Sequence, residues 1–452
     1  MMSLNLAERV PRCASGRVVQ EGGGPALLAQ VRVWHRGLVG KGMLVTNGQL
    51  PPGYLVLPES MIKVFARPEA ALGRAAEALK RDVSAFEVIR TSNGAVAGRM
   101  NPQLVPLLEY AGDDRMVPLL MAMQSTHASK VAELGSSELS ANQLRHLLME
   151  LGLSDGQLGA SAADMLLAGF EPQAEPHLRK KVVAVMRDAL ERVASGRFTV
   201  PLSTSLMGVP DYTGSVPEGE VVVIEEGKYI QEEILLYRNP GTHIGDIRKV
   251  RASLPTPELL QTFEGISPEL VNGVIFSTRG PRALADMLSG GDYDGDEFLY
   301  FKSSLKLDIG TASDPPLSLV DAFKGNSPPW EPPPPPPAQL GQHVHPLHPP
   351  PPPQMVTEDA DAVQVMLCRN WRLLDEASGK IGAIAVVLQM AQEKCGAGHH
   401  KALRLVDLYN AALDAPKSGA DIGTEHEEIK NELLFHPPSQ YPGGKGYPCF
   451  MS

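Results

Sequence analysis

Two textures alternate along this chain: short apolar runs cut by glycine and proline, and longer stretches of helical periodicity. Over 28–65, Leu28, Val31 and Val33 alternate with polar residues. Leu38-Val39 and Met43-Leu44-Val45 then flank Gly40 and Gly42, a pattern that predicts strands joined by turns. Over 66–196 the composition turns to Ala, Leu, Glu and Arg. Leu104, Leu107 and Leu108, and later Val182, Val185, Met186 and Leu190, fall at helical spacing. Breaks are expected at Asn101-Pro102, Gly112-Asp113 and Gly152 to Gly156, and Leu119, Leu120, Met121 and Met123 read as core, with no cofactor box. Strand texture returns over 197–308, in Phe198–Leu202, Leu206–Val209, Glu220–Ile224, Ile234–Tyr237 and Phe298–Phe301. Residues 356–452 read as helical again, in Val363–Leu374, Ile381–Lys394 and His400–Leu413. The fold class is α+β.

Two stretches fit neither texture. Residues 1–27 include Glu21-Gly22-Gly23-Gly24-Pro25 and read as a flexible lead-in. Residues 309–355 carry Pro328-Pro329, Pro332–Pro337 and Pro349–Pro353, which predict a disordered, solvated linker of polyproline II character. Such tracts suit polyproline-binding modules as well as a passive linker. His343, His345 and His348 lie within it at metal-like spacing but have no scaffold to hold them.

Composition narrows the classes. The chain has 452 residues, 43% hydrophobic, and a net charge of −11, so any nucleic-acid contact is local or bridged by metal rather than spread over a basic surface. Cys13, Cys368, Cys395 and Cys449 are far apart, which fits a reducing compartment and neither a disulfide framework nor a zinc finger. Met1–Cys13 lacks the apolar core of a signal peptide, and no apolar run is long enough for a membrane span. The expectation is an intracellular protein, nuclear or cytoplasmic.

The candidate chemistry centres on Leu288-Ser289-Gly290-Gly291-Asp292-Tyr293-Asp294-Gly295-Asp296-Glu297. Carboxylates at i, i+2 and i+4 share one side of an extended segment, and Gly295 permits the bend that draws them around a point. Like charges so placed repel unless a hard cation sits among them, and Mg²⁺ suits an all-oxygen donor set shared with phosphates. A calcium loop of the EF-hand type requires Gly at the sixth place and Glu at the twelfth. Those places hold Glu297 and Ser303. A solvated acidic turn is the alternative; the apolar Phe298-Leu299-Tyr300-Phe301 directly after it favours the metal site.

Upstream lies Arg238-Asn239-Pro240-Gly241-Thr242-His243-Ile244-Gly245-Asp246. With Asp292-Tyr293-Asp294-Gly295-Asp296, this order resembles the eukaryotic RNA-dependent RNA polymerases of RNA silencing, which carry R-N-P-x-x-H-P-G-D before S-G-S-D-x-D-G-D. The aromatic Tyr293 is closest to the plant subgroup, and the pair of motifs is distantly similar to the large subunit of cellular RNA polymerases. Gly40-Lys41-Gly42 and Ser60-Met61-Ile62-Lys63-Val64 resemble the family's K-G and R-x-S-M-x-K-F. Gly280-Pro281-Arg282 and Asp414-Ala415-Pro416-Lys417-Ser418-Gly419 echo further family segments, as does the closing Tyr447-Pro448-Cys449-Phe450-Met451.

The resemblance implies a double-psi β-barrel polymerase core. It places a partial first barrel at 28–65, a helical connector at 66–196, a complete second barrel at 197–308 and a helical C-terminal segment at 356–452. It implies template-dependent nucleotidyl transfer making double-stranded RNA for small-interfering-RNA production, from a single-stranded RNA template and nucleoside triphosphates. Asp292, Asp294 and Asp296 would be catalytic and would hold Mg²⁺ or Mn²⁺. Lys41, Lys63 and Arg238 would meet nucleotide or phosphate, with Arg282, Lys380 and Lys417 as further RNA contacts and Arg279 a weaker one. Read alone, two lysines are ordinary surface residues, Arg238 is equally a turn-capping arginine, and His243 is a packing or hydrogen-bonding residue. Relatives are much longer, so the rival expectation is a truncated, catalytically inactive remnant that binds RNA or a partner.

Overall fold

The computed structural model describes residues 2–3, 13–14, 17–18, 28–35, 38–65, 84–92, 96–154, 157–266, 272–304, 306–307, 316–331, 379–418 and 422–435. The chain forms two compact units, Met1–Gly241 with Gly245–Pro328, and Thr242–Ile244 with Pro329–Ser452.

In the first unit, strands β1 (Leu28–His35), β2 (Leu38–Asn47), β3 (Ile62–Phe65) and β4 (Ser84–Thr91) build one sheet. Antiparallel β1 lies between β2 and β4, and β3 pairs with the far edge of β2. A two-residue strand, Met2–Ser3, also joins β2. Alternation along β1 sends Ala29, Val31 and Val33 into one apolar cluster with Leu44 and Met61, and puts Leu28, Gln30 and Arg32 on the opposite face, where Leu28 packs with the second sheet.

Strand β5 (Val96–Arg99) passes to a second sheet, followed by helices α1 (Leu104–Ala111), α2 (Met116–Glu133), α3 (Ala141–Glu150), α4 (Gln157–Leu167) and α5 (Pro176–Ala194). The expected breaks coincide with helix ends: Gly112 caps α1, and Gly152 lies between α3 and α4; a further boundary, not among those expected, is the reciprocal capping box of Ser140 and Gln143 on α3. The expectation of a helical connector from residue 66 does not hold over 84–99. There β-branched and aromatic residues (Phe86, Val88, Ile89, Thr91) make β4, and Val96–Arg99 pairs with the next strand.

Strands β6 (Thr199–Pro210), β7 (Glu220–Glu225), β8 (Lys228–Ile230), β9 (Glu233–Arg238), β10 (Ile247–Ala252), β11 (Gly273–Phe276) and β12 (Glu297–Lys302) form the second sheet. It closes on itself in the order β7-β10-β9-β12-β6-β11-β7, with β8 hairpinned on β7 and β5 added to β6. The pairs β7–β10 and β6–β11 are parallel and the rest antiparallel, so closure removes the free edges that an open sheet would present. Inward side chains Leu206, Val221, Val223, Ile234, Leu236, Phe276, Phe298 and Tyr300 fill the barrel. Leu28, Met43 and Val45 of the first sheet pack with Met207, Val209, Val222 and Ile275, so the two sheets share apolar contact.

At one side of the barrel, Glu225 pairs with Lys302 and accepts from Thr204, with both charged side chains less than a fifth exposed. Burial alone would raise the Glu225 carboxyl, but Lys302, Thr204 and Tyr300 together hold it below its ordinary value. A depressed carboxylate stabilises the fold above its unfolded pKa, and that contribution is lost as pH falls through the folded value. Glu225→Gln is therefore expected to cost about 2 kcal/mol near neutral pH. The deficit relative to wild type should shrink toward zero in urea unfolding repeated from about pH 7 down to about pH 3.

The expected disordered linker, 309–355, is ordered over residues 316–331, and 309–315 lie outside the described residues. Leu317, Leu319, Val320, Ala322 and Phe323 are buried, Asp113 donates to Ala322 O at 2.8 Å and Lys324 to Ala111 O at 2.9 Å. Its apolar run precedes the prolines, which explains the difference; residues 332–355 lie outside the described residues. In the second unit, helical residues 379–395, His400–Ser418 and Glu425–Phe435 bury Ile384, Leu388, Leu405, Tyr409 and Leu433 in a common core. The expected helix Val363–Leu374 and the segment Tyr447–Met451 lie outside the described residues. Among the described residues, no helix is long and apolar enough to cross a membrane.

Candidate active site

The loop entering β12 brings the carboxylates of Asp292, Asp294 and Asp296 together, one oxygen from each lying within 4.8 Å of the others. Convergence does not come from an extended segment as expected: residues 293–295 are a bend, and the strand begins only at Glu297. Gly295 has φ +129, a conformation that side-chain-bearing residues rarely adopt, and a Cβ there would run into the Gln30 amide. The loop is anchored from below. Leu288 is buried, and Tyr293 packs on Phe276 at 5.6 Å between ring centroids, with Phe276 in turn 4.6 Å from Phe298. The aromatic residue between the first two aspartates is thus a core anchor, and its burial pushes the phenol well up.

Each aspartate has a different setting. Asp296 is gripped by Arg238 of β9, whose Nε and Nη2 donate to its two oxygens at 2.6 and 3.0 Å, while Nη1 donates to Ser289 O at 3.0 Å. The bidentate fork orients the carboxylate as lysine could not. Asp292 N–H donates to Asp296 Oδ2 at 2.9 Å, and Asp294 N–H to Asp292 Oδ1 at 3.2 Å. Asp294 is paired with Lys41 of β2. Burial, then Asp294, pushes the Asp292 carboxyl upward. Asp294 is itself partly buried, but Lys41 above all holds it low, with Asp292 and Lys63 contributing. Lys41 is raised in turn by its bond to Asp294.

The first sheet braces this loop through Gln30, Arg90 and Met43, none of which was among the candidate site residues. Gln30 Nε2 donates to Asp294 O at 2.6 Å. Arg90 on β4 donates to Gly295 O, to Glu297 Oε1 at 2.6 Å and to Gln30 Oε1 at 3.1 Å. Met43 N–H donates to Tyr293 O at 3.1 Å. Strand register explains the grouping, since Gln30 lies opposite both Met43 and Arg90, and Arg32 opposite Lys41. A polar residue at alternate places of an otherwise apolar β1 was the available clue. On the other side, Asp246 Oδ1 accepts from Ser289 N–H at 3.1 Å, linking the Arg238–Asp246 segment to the aspartate loop.

The remaining candidates are placed as follows. Lys63 is exposed and donates to Ser60 O at 3.0 Å, and its charge is felt at Asp294. Arg282 is engaged by Asp286 at 2.5 Å and Arg279 donates to Gly214 O at 2.8 Å. His243 belongs to the second unit, where burial lowers its pKa and Asp407 partly offsets this. Lys380 and Lys417 are also in the second unit, Lys380 in the helical residues 379–395 and Lys417 within His400–Ser418.

Three converging carboxylates, two cations on their flanks and backbone N–H groups tying the loop form a donor set suited to a hard divalent cation.

Comparison with known proteins gives the family. The family described as RNA dependent RNA polymerase matches residues 1–451. Probable RNA-dependent RNA polymerase 5 of Arabidopsis thaliana is 30% identical over 429 residues, 94% of this chain and 40% of the relative. Probable RNA-dependent RNA polymerase 3 of the same plant is 29% identical over 414 residues, 90% of this chain and 38% of the relative. The chain thus spans well under half the length of these relatives. Among solved structures, RNA dependent RNA polymerase QDE-1 from Thielavia terrestris aligns with a TM-score of 0.61 at 18% identity, over 92% of this chain and 45% of that one. That likeness carries the fold: α+β, with the closed barrel as a double-psi polymerase core. The chain belongs to the RNA dependent RNA polymerase family.

Proposed function

We propose that this chain carries the catalytic centre of an RNA-directed RNA polymerase, which extends a strand on a single-stranded RNA template from nucleoside triphosphates. The product would be double-stranded RNA for small-interfering-RNA production, made in the nucleus or cytoplasm. The observation that carries the reading is the trio Asp292, Asp294 and Asp296, drawn together and flanked by Lys41 and Arg238.

The three carboxylates would hold Mg²⁺, or Mn²⁺ in its place, which supplies a lowered pKa for the attacking 3′-hydroxyl and neutralises charge on the α-phosphate and the departing pyrophosphate. The chain's own groups do the rest. Arg238 keeps Asp296 in one orientation, and its remaining N–H groups can donate to a nucleotide's sugar hydroxyl. Lys41 offsets carboxylate charge and is positioned to meet triphosphate oxygens, with Lys63 adding positive potential from the same sheet. Arg282, Lys380 and Lys417 are assigned to RNA further from the reacting atoms, and the proline tracts to polyproline-binding partners. The complete donor set speaks against the rival reading of an inactive remnant.

Primer extension on single-stranded RNA with Mg²⁺ tests the proposal. Wild type is expected to incorporate nucleotides and Asp294→Ala to fail; equal incorporation by both would remove the enzyme reading.

A further inference from the structure

Beside Asp296, among the described residues, an open cleft of about 1030 Å³ runs between the barrel and helices α2 and α5. Arg90, Arg99, Arg192 and Arg197 line it, and the carboxylates on its wall are Asp296 and Glu297. Both carboxylates are already engaged, Asp296 by Arg238 and Glu297 by Arg90. Three guanidiniums are left without a carboxylate from the cleft itself. Arg192 pairs with Asp188 on its own helix, with both side chains more than half exposed, and Arg197 donates to Ser195 Oγ at 3.0 Å. Exposed pairs of this kind are worth little and exchange readily for a better anion. Arg99 makes no ion pair among the described residues, and its Nη2 lies 3.0 Å from where a Cβ on Gly152 would sit.

Resting on the polymerase reading, we infer that this cleft holds the phosphodiester backbone of single-stranded RNA, with Arg99, Arg192 and Arg197 as its phosphate contacts. The shape favours a strand over one nucleotide, because the volume reaches the upper limit of small-molecule pockets, about 1,000 Å³. The wall favours backbone over bases. Of its rings, Phe198 and Tyr237 are buried and His127 is only partly exposed, tilted against Phe198 at 6.2 Å, so contact is mainly through charge, with little sequence preference. Guanidiniums match phosphate oxygens in pairs, and the cleft leads a bound strand to Asp296.

Binding of a fluorescent single-stranded oligonucleotide, with divalent ions withheld, tests the inference apart from catalysis. Each phosphate contact on a single strand contributes about 0.7 to the slope of log K against log salt. Arg99→Gln/Arg192→Gln/Arg197→Gln should therefore reduce the slope by about 2 and weaken binding at least about tenfold at low salt. The triple lysine variant should retain most of the slope. Arg179→Gln/Lys180→Gln/Arg187→Gln, which removes the same charge from the exposed face of α5, should change it less. An unchanged slope in the cleft variant overturns the inference, as does an equal change in both neutral variants, which would mean diffuse attraction. Loss of nucleoside triphosphate binding with RNA binding intact also overturns it, in favour of a triphosphate site. Independently of any variant's folding, RNA should protect Arg99, Arg192 and Arg197 of the wild-type chain from an arginine-selective dicarbonyl, leaving Arg179 and Arg187 reactive; no protection overturns it. If Asp294→Ala proves as active as wild type while the arginine dependence holds, the polymerase reading fails and the RNA cleft stands.

Discussion

Asp294→Ala should lower nucleotide incorporation by about a thousandfold or more while leaving the barrel folded. Its carboxylate is one of three that converge, and Lys41, its partner, is half exposed and can turn to solvent when the pair is broken. The neighbouring Asp296→Ala should differ in kind. Arg238 is about four-fifths buried, and removing Asp296 leaves its guanidinium without the two oxygens it grips. Stranding a charge in that setting costs about 2–3 kcal/mol, so Asp296→Ala should lose activity and also unfold several degrees earlier. Calorimetric titration with Mg²⁺ or Mn²⁺ and a thermal melt separate the two. Divalent-ion uptake that survives in both variants would remove the metal role from this loop.

Arg90→Ala should weaken divalent-ion binding by about 10–100-fold although Arg90 touches none of the three carboxylates, the usual effect of losing a group that orients metal ligands. Arg90 ties Gly295 O, Glu297 and Gln30 into one network, and Gln30 in turn holds the carbonyl of Asp294. Without that brace the bend at Gly295 gains freedom, and the aspartates lose their mutual placement. Arg90 is over a third exposed, so the melting temperature should move little. A role limited to stability predicts the reverse: a lowered melt with unchanged ion affinity. Arg90→Lys restores charge but not the fork, and should recover only part of the affinity.

The site was legible to different depths. The aspartate string announced itself, since acidic residues at alternate places beside a buried aromatic run have few structural uses. Lys41 and Lys63 were read only through resemblance, because nothing in a lone lysine separates a site from a solvated surface. Arg90 was hidden twice over. It lies in a stretch whose surroundings are rich in helix formers, and its partner Gln30 is 60 residues away in sequence. The buried run Leu317–Phe323 was likewise masked by the prolines that follow it.

Local chemistry was enough to specify the donor types, the glycine at the bend, the alternation of strand-rich and helix-rich regions outside 84–99 and several helix ends, because periodicity, capping and turn preference act within a few residues of chain. Barrel closure, the register that sets Gln30 against Arg90 and Arg32 against Lys41, and the grip of Arg238 on Asp296 belong to the folded molecule. Apart from the Arg32–Lys41 hairpin pairing, those contacts join segments tens of residues apart, and side chains so distant meet only once the core has packed.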